Sequence, residues 1–167
     1  MMRYCRENNY KSLIAPQDDQ KIVDKSLIYN IENLYFVYRE TLGMVGLRDG
    51  FEFGYQGMIS SEWSESNFAK RRLSCGEFEM RPLLNDGPLI YFNHVIKKIG
   101  YHDVENYKKF YIEDDYTARA HYTYGLVNIV MGNNLVHDRT MSSVASKHYD
   151  DNAGEEDLKT FNARWRP

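Results

Sequence analysis

Between Ile22 and Leu42 the chain carries neither glycine nor proline, and Val23, Leu27, Ile31, Leu34, Tyr35, Tyr38 and Leu42 return at helical spacings of three and four. A helix with 3.6 residues per turn gathers such positions on one face, so the stretch predicts an amphipathic helix that must bury its stripe against other elements. Pro16 with Asp18 and Asp19 supplies a start signal. Gly43 supplies a stop, because glycine enters the left-handed conformation without a Cβ penalty. The helix is expected over 19–42.

The remaining elements follow from weaker patterns. Phe51, Phe53 and Tyr55 alternate with polar or glycine positions, which predicts a short strand over 51–59. A short helix over 64–73 is capped by Ser64, and Glu77 to Arg81 alternates polar with apolar as a second strand over 77–81. Asn85, Asp86, Gly87 and Pro88 form a turn before Leu89, Phe92, Ile96 and Ile99, whose spacing predicts a helix over 88–99 closed by Gly100. Asp103 offers an N-cap to a third helix over 103–131, carried by Tyr107, Phe110, Ala118, Tyr122, Leu126, Ile129 and Val130. The expected fold class is α+β and helix-dominant, with about three main helices and a small antiparallel sheet.

At 167 residues, 43% hydrophobic and 27% charged, the chain has the size and composition of one globular domain over 1–167. A polar N-terminal segment 1–17 and a mobile acidic C-terminal tail 142–167 complete the expected organisation. Within that tail Leu158, Phe161 and Trp165 recur at spacings of three and four, which allows a short terminal helix with an aromatic face. No apolar run approaches the roughly 20 residues needed to cross a bilayer, and Arg3, Arg6 and Glu7 interrupt the start where a signal peptide is apolar. Cys5 and Cys75 read as free thiols, which suits an intracellular site, cytoplasmic or another reducing compartment. A formal net charge of −3 without a basic stripe disfavours nucleic acid as a partner.

No phosphate-binding glycine loop, dinucleotide fingerprint, nucleophile elbow or zinc-binding pair appears in the sequence. No cofactor and no metal site are expected. The acidic run Glu113, Asp114, Asp115 with His121 downstream, and the pair His137 and Asp138, are the candidates for acid and base work, because His titrates near neutrality and a carboxylate can orient it. On a regular helix Asp114 and His121 stand two turns apart, roughly 10 Å along the axis, too far to share one ion.

The compositional anomaly is aromatic: 14 Tyr, 8 Phe and 2 Trp. Tyr supplies large contact area at small entropic cost and is enriched at interfaces. The sequence therefore favours a non-enzymatic interaction or assembly protein, a subunit of a larger complex that meets a protein partner or itself through aromatic surface and terminal segments. Phe161, Arg164, Trp165 and Arg166 are the candidate partner-binding residues, since Trp and Arg dominate hot spots. The alternative is a small hydrolase-like enzyme with a site assembled from His121, Asp114, His137 and Asp138.

Overall fold

Leu42, Met44, Val45 and Leu47 are all fully buried and lie on one strand, so both faces of that strand are covered and a sheet is the centre of the molecule. The structure, a computed structural model, describes residues 1–16, 20–48, 73–84, 88–132, 135–137 and 151–165. Helix α1 (Met2–Glu7) leads into β1 (Ser12–Ala15) and β2 (Gln20–Ile22), then α2 (Leu27–Tyr38), a 3-10 turn (Arg39–Thr41) and β3 (Leu42–Arg48). After these come β4 (Phe78–Met80), β5 (Leu89–Phe92), α3 (Asn93–Ile99), α4 (Ile112–Ala118), β6 (Val127–Gly132), β7 (Leu135–His137) and α5 (Asp151–Trp165). A π-helical turn over Arg119–Thr123 continues α4.

Among the described residues the main sheet has five strands in the order β1-β5-β3-β6-β4, and β2 pairs with β7 separately. The β3–β6 pairing is parallel and the other three are antiparallel, so the sheet is mixed. This overturns the expectation of a helix-dominant fold with three main helices and a small antiparallel sheet. The coarse description α+β stands, with five α-helices among the described residues around a five-stranded sheet.

Strands break into each long predicted helix; for β5, β6 and the start of β3 the reason is that a strand buried on both faces is a continuous apolar run, which a helical period also matches. Leu89, Ile90, Tyr91 and Phe92 are all buried, so the first half of 88–99 is β5 and only Asn93–Ile99 is helical. The span 103–131 opens not as a helix but in turns, where Asp103 accepts from the Asn106 N–H (3.3 Å); α4 begins only at Ile112, and the π turn and β6 follow it, with Gly125 at φ +65° in the turn before β6. The span 19–42 holds β2, α2 and the start of β3. The helix start inside it is set by Asp24, whose carboxylate accepts hydrogen bonds from the Ser26 N–H (2.8 Å) and hydroxyl (2.7 Å). Gly43 is not a helix stop but a position in β3 where a Cβ would collide with the Asn128 side chain.

Asn128 explains how the parallel pair is held. Its Oδ1 accepts from the Met44 N–H (3.0 Å) at the register shift between Leu42 and Val45, while its Nδ2 donates to the Pro82 and Thr117 carbonyls (2.8 Å each). A fully buried amide with both ends satisfied rigidifies the β3–β6 seam without the penalty of an unmade bond.

The predicted strand over 77–81 appears as edge strand β4, but with its faces reversed: Phe78 and Met80 are exposed and Glu79 pairs with Arg81. The predicted strand over 51–59, and residues 64–72 of the predicted helix over 64–73, lie outside the described residues. Cys5 is buried and Cys75 exposed. No helix among the described residues is long and apolar enough to cross a membrane.

Candidate functional site

The C-terminal helix is anchored by its aromatic and basic residues to the body of the same chain. Phe161 is buried against Leu83, Tyr107 and Ala118 and stacks on Tyr111 with ring centroids 5.3 Å apart. Arg164 Nη1 donates to Asp115 Oδ1 (2.8 Å) and Asp103 Oδ2 (2.9 Å), and Trp165 Nε1 donates to Asp115 Oδ1 (2.9 Å). Asp115 is fully buried and also receives Arg119 Nε (2.9 Å) and the Tyr107 hydroxyl (3.2 Å). Burial and the neighbouring Asp115 carboxylate push the Tyr107 hydroxyl up, and the Asp115 contact pushes the Arg164 guanidinium up, so Tyr107 stays neutral and Arg164 charged. From the middle of α5, Asp157 accepts the backbone N–H groups of Lys108 (3.0 Å), Lys109 (2.8 Å) and Phe110 (2.8 Å). Burial opposes its ionisation, but these three donors outweigh it and hold its carboxyl below the usual range. Three of the four predicted partner-binding side chains thus contact their own chain, and Arg166 lies outside the described residues.

The acid and base candidates are spread over several elements. His121 sits in the π turn, where Nδ1–H donates to the Leu126 carbonyl (3.1 Å). Asp114 is half-buried in the first turn of α4, and the buried carboxylate of that acidic run is Asp115. His137 lies on β7 opposite Gln20, and Asp138 is outside the described residues. Among the described residues no three His, Cys, Asp or Glu side chains converge to hold a metal ion.

Among the described residues a concavity lies elsewhere, between edge strand β1 and helix α2. It encloses about 710 Å³. Its floor is Ile14 and Phe92, its helical wall is Tyr29, Glu32, Asn33 and Phe36, and Lys11, Arg39 and Glu40 stand at its margins. Helical geometry accounts for the wall. Leu27, Ile31 and Leu34 are the buried stripe of α2, and Ile28, Glu32 and Tyr35 flank it on the side that meets the cleft. Tyr35 stacks on Phe92 (5.4 Å) and seats the helix on β5. His94 closes the floor behind them, with Nε2–H donating to the Leu42 carbonyl (2.7 Å), its ring against Tyr35 and Phe92, and its pKa lowered by burial.

The outward face of α2 is apolar. Ile28 is 56% exposed, Tyr29 67%, Phe36 71% and Val37 69%. Four large apolar side chains thus stay exposed on a helix that already buries its own stripe, with Glu32 and Asn33 exposed among them. The backbone beside this patch is strained: Arg39 ends α2 at φ +45°, ψ −122°, a region that favours glycine, and its guanidinium lies over the Phe36 ring (5.2 Å). Sequence reasoning missed the surface because it counted only the residues that fit the buried stripe. The signal was the residues left over: Ile28, Tyr29, Phe36 and Val37 make the helix apolar on nearly all sides, which a helix packed on one face alone does not need.

No model of a known protein family matches this chain, and no curated protein matches it in sequence.

Proposed function

We propose that this chain is a non-catalytic interaction or assembly protein, acting as one domain within a larger complex and docking through the β1–α2 cleft and the outward face of α2. The observation that carries the reading is the exposure of Ile28, Tyr29, Phe36 and Val37 beside a cleft of about 710 Å³. Leaving such side chains in water forgoes about 1.5–3 kcal/mol each of burial energy. A protein surface is the occupant that recovers it, and the Tyr and Phe content of the wall matches the anchors that dominate such contacts. The C-terminal helix enters this reading as part of the scaffold, through Phe161, Arg164 and Trp165.

Native mass spectrometry of the protein isolated gently from its own source tests the proposal. The expected result is a stoichiometric protein complex that is lost in a Tyr29→Glu/Phe36→Glu variant of unchanged circular dichroism. A monomer that binds nothing, in both proteins, overturns it.

A further inference from the structure

β1 is an edge strand: β5 flanks it on one side, and among the described residues no strand flanks it on the other. Its backbone polarity follows from the ladder. The Asn93 N–H donates to the Lys11 carbonyl (2.9 Å), and the register continues as Ser12 opposite Phe92 through Ala15 opposite Leu89. In an antiparallel ladder hydrogen-bonded pairs alternate with non-hydrogen-bonded ones, so Lys11, Leu13 and Ala15 turn their backbone groups to β5. Ser12 and Ile14 turn theirs outward, and both residues line the cleft.

We propose that the occupant of the cleft is a second copy of this chain, paired antiparallel through β1 about a two-fold axis at Leu13, an inference that rests on reading the cleft as a docking face. In that register Ser12 of one copy lies opposite Ile14 of the other, twice over, and the two outward residues of each strand supply four main-chain hydrogen bonds. Pro16 is the next outward position and has no N–H, so sliding the pairing in that direction loses bonds and the register at Leu13 is preferred.

Geometry and charge both favour a copy over a foreign segment. The two-fold axis stands perpendicular to the joined sheet, so the two α2 helices share one face of it. Each is seated on its β5 by the Tyr35–Phe92 stack, which puts them three strand spacings apart, roughly 14 Å. That exceeds the 8–10 Å of directly packed helices by an amount that large side chains fill, and Tyr29 and Phe36 of each copy line the gap. Two cations, Lys11 and Arg39, and two anions, Glu32 and Glu40, line each cleft, so a copy turned through the two-fold brings no net like charge against it. A peptide of marked charge gains no such balance.

The test is the solution mass of the purified full chain by light scattering over a concentration series, with three variants. The expected result is a dimer whose dissociation constant rises at least tenfold in Ser12→Pro, which removes one outward N–H per copy, and in Tyr29→Glu/Phe36→Glu, whose changes sit on exposed helix surface and spare the fold. Leu13→Cys, made with Cys75→Ser, is expected to oxidise to a covalent dimer, because a non-hydrogen-bonded pair sets its Cα atoms about 4.5 Å apart, within disulfide range. A dimer indifferent to all three variants overturns the β1 pairing. A monomer whose native complex with a different protein depends on Tyr29 and Phe36 overturns the self-pairing while sparing the docking face. A monomer that binds nothing overturns both.

Discussion

Replacing Asp115 by Ala removes the acceptor on which α5, α4 and the loop at Tyr107 converge. The carboxylate is fully buried and holds Arg119, Arg164, Trp165 and Tyr107. Deleting one partner of a buried charge pair costs about 3–5 kcal/mol, chiefly because the remaining charge is left without compensation. Here the guanidinium groups reach some water, with side-chain exposures of 19% for Arg119 and 34% for Arg164, which sets the expected loss at the lower end, about 3 kcal/mol. Urea denaturation followed by far-ultraviolet circular dichroism measures it. Asp115→Asn keeps the shape and an acceptor for Trp165 and Tyr107 but loses the charge, so it is expected to fall between wild type and Asp115→Ala. A double-mutant cycle of Asp115→Asn with Arg164→Met isolates the pair, with a coupling above about 1 kcal/mol expected for residues in one network. A loss under about 1 kcal/mol for Asp115→Ala, with no coupling to Arg164, refutes the view that the C-terminal helix is held through this carboxylate.

Two further outcomes follow from the same packing. Phe161→Ala empties the centre of the second hydrophobic cluster, between Tyr107, Leu83 and Ala118, and is expected to cost about 3–5 kcal/mol or to release α5, read as faster proteolysis after residue 150. Acid is expected to destabilise the fold in two stages. Burial, reinforced by the Arg119 charge, lowers His102 to about 4, so the neutral ring is favoured in the fold. Its contribution is complete above the unfolded value near 6.5 and falls at up to about 1.4 kcal/mol per pH unit between about 6.5 and 4. Asp157, held below its ordinary value, adds stability that is present above about 4 and is lost as pH falls further. Thermal denaturation in steps from pH 7 to 3 reads both stages. A midpoint that does not change between pH 7 and 5 contradicts the His102 assignment, and His102→Asn is expected to flatten that first slope.

How much of this was legible in the sequence depended on whether local pattern and burial agreed. The centre of α2 was readable because Leu27, Ile31 and Leu34 face the core while polar residues and the leftover apolar patch face out. Its ends were not, because Leu42 continues the helical period and is also the first residue of a buried strand. The same degeneracy hid β5 and β6, where every side chain from Leu89 to Phe92 is buried and periodicity carries no information about which conformation buries it. The terminal aromatic spacing was legible as a helix. Its destination was not, since the receiving groups Asp115, Asp103 and Tyr107 lie some 50 residues away or more and no local pattern links them. The cleft could not be read at all without the sheet order, because β1 and α2 become neighbours only when β5 joins β1 to β3. Asn128 is a similar case, a polar residue in an apolar run whose purpose appears only when the β3–β6 register shift is seen.

Residue-resolved hydrogen exchange along β1, recorded at concentrations above and below the dimer dissociation constant, tests the β1 pairing. Leu13 and Ala15 donate inward to β5 and are expected to be protected at every concentration. Ser12 and Ile14 donate outward, and their amides are expected to exchange quickly in dilute protein and to become as protected as Leu13 in concentrated protein. Fast exchange at Ser12 and Ile14 at all concentrations, with the α2 amides equally unchanged, contradicts it.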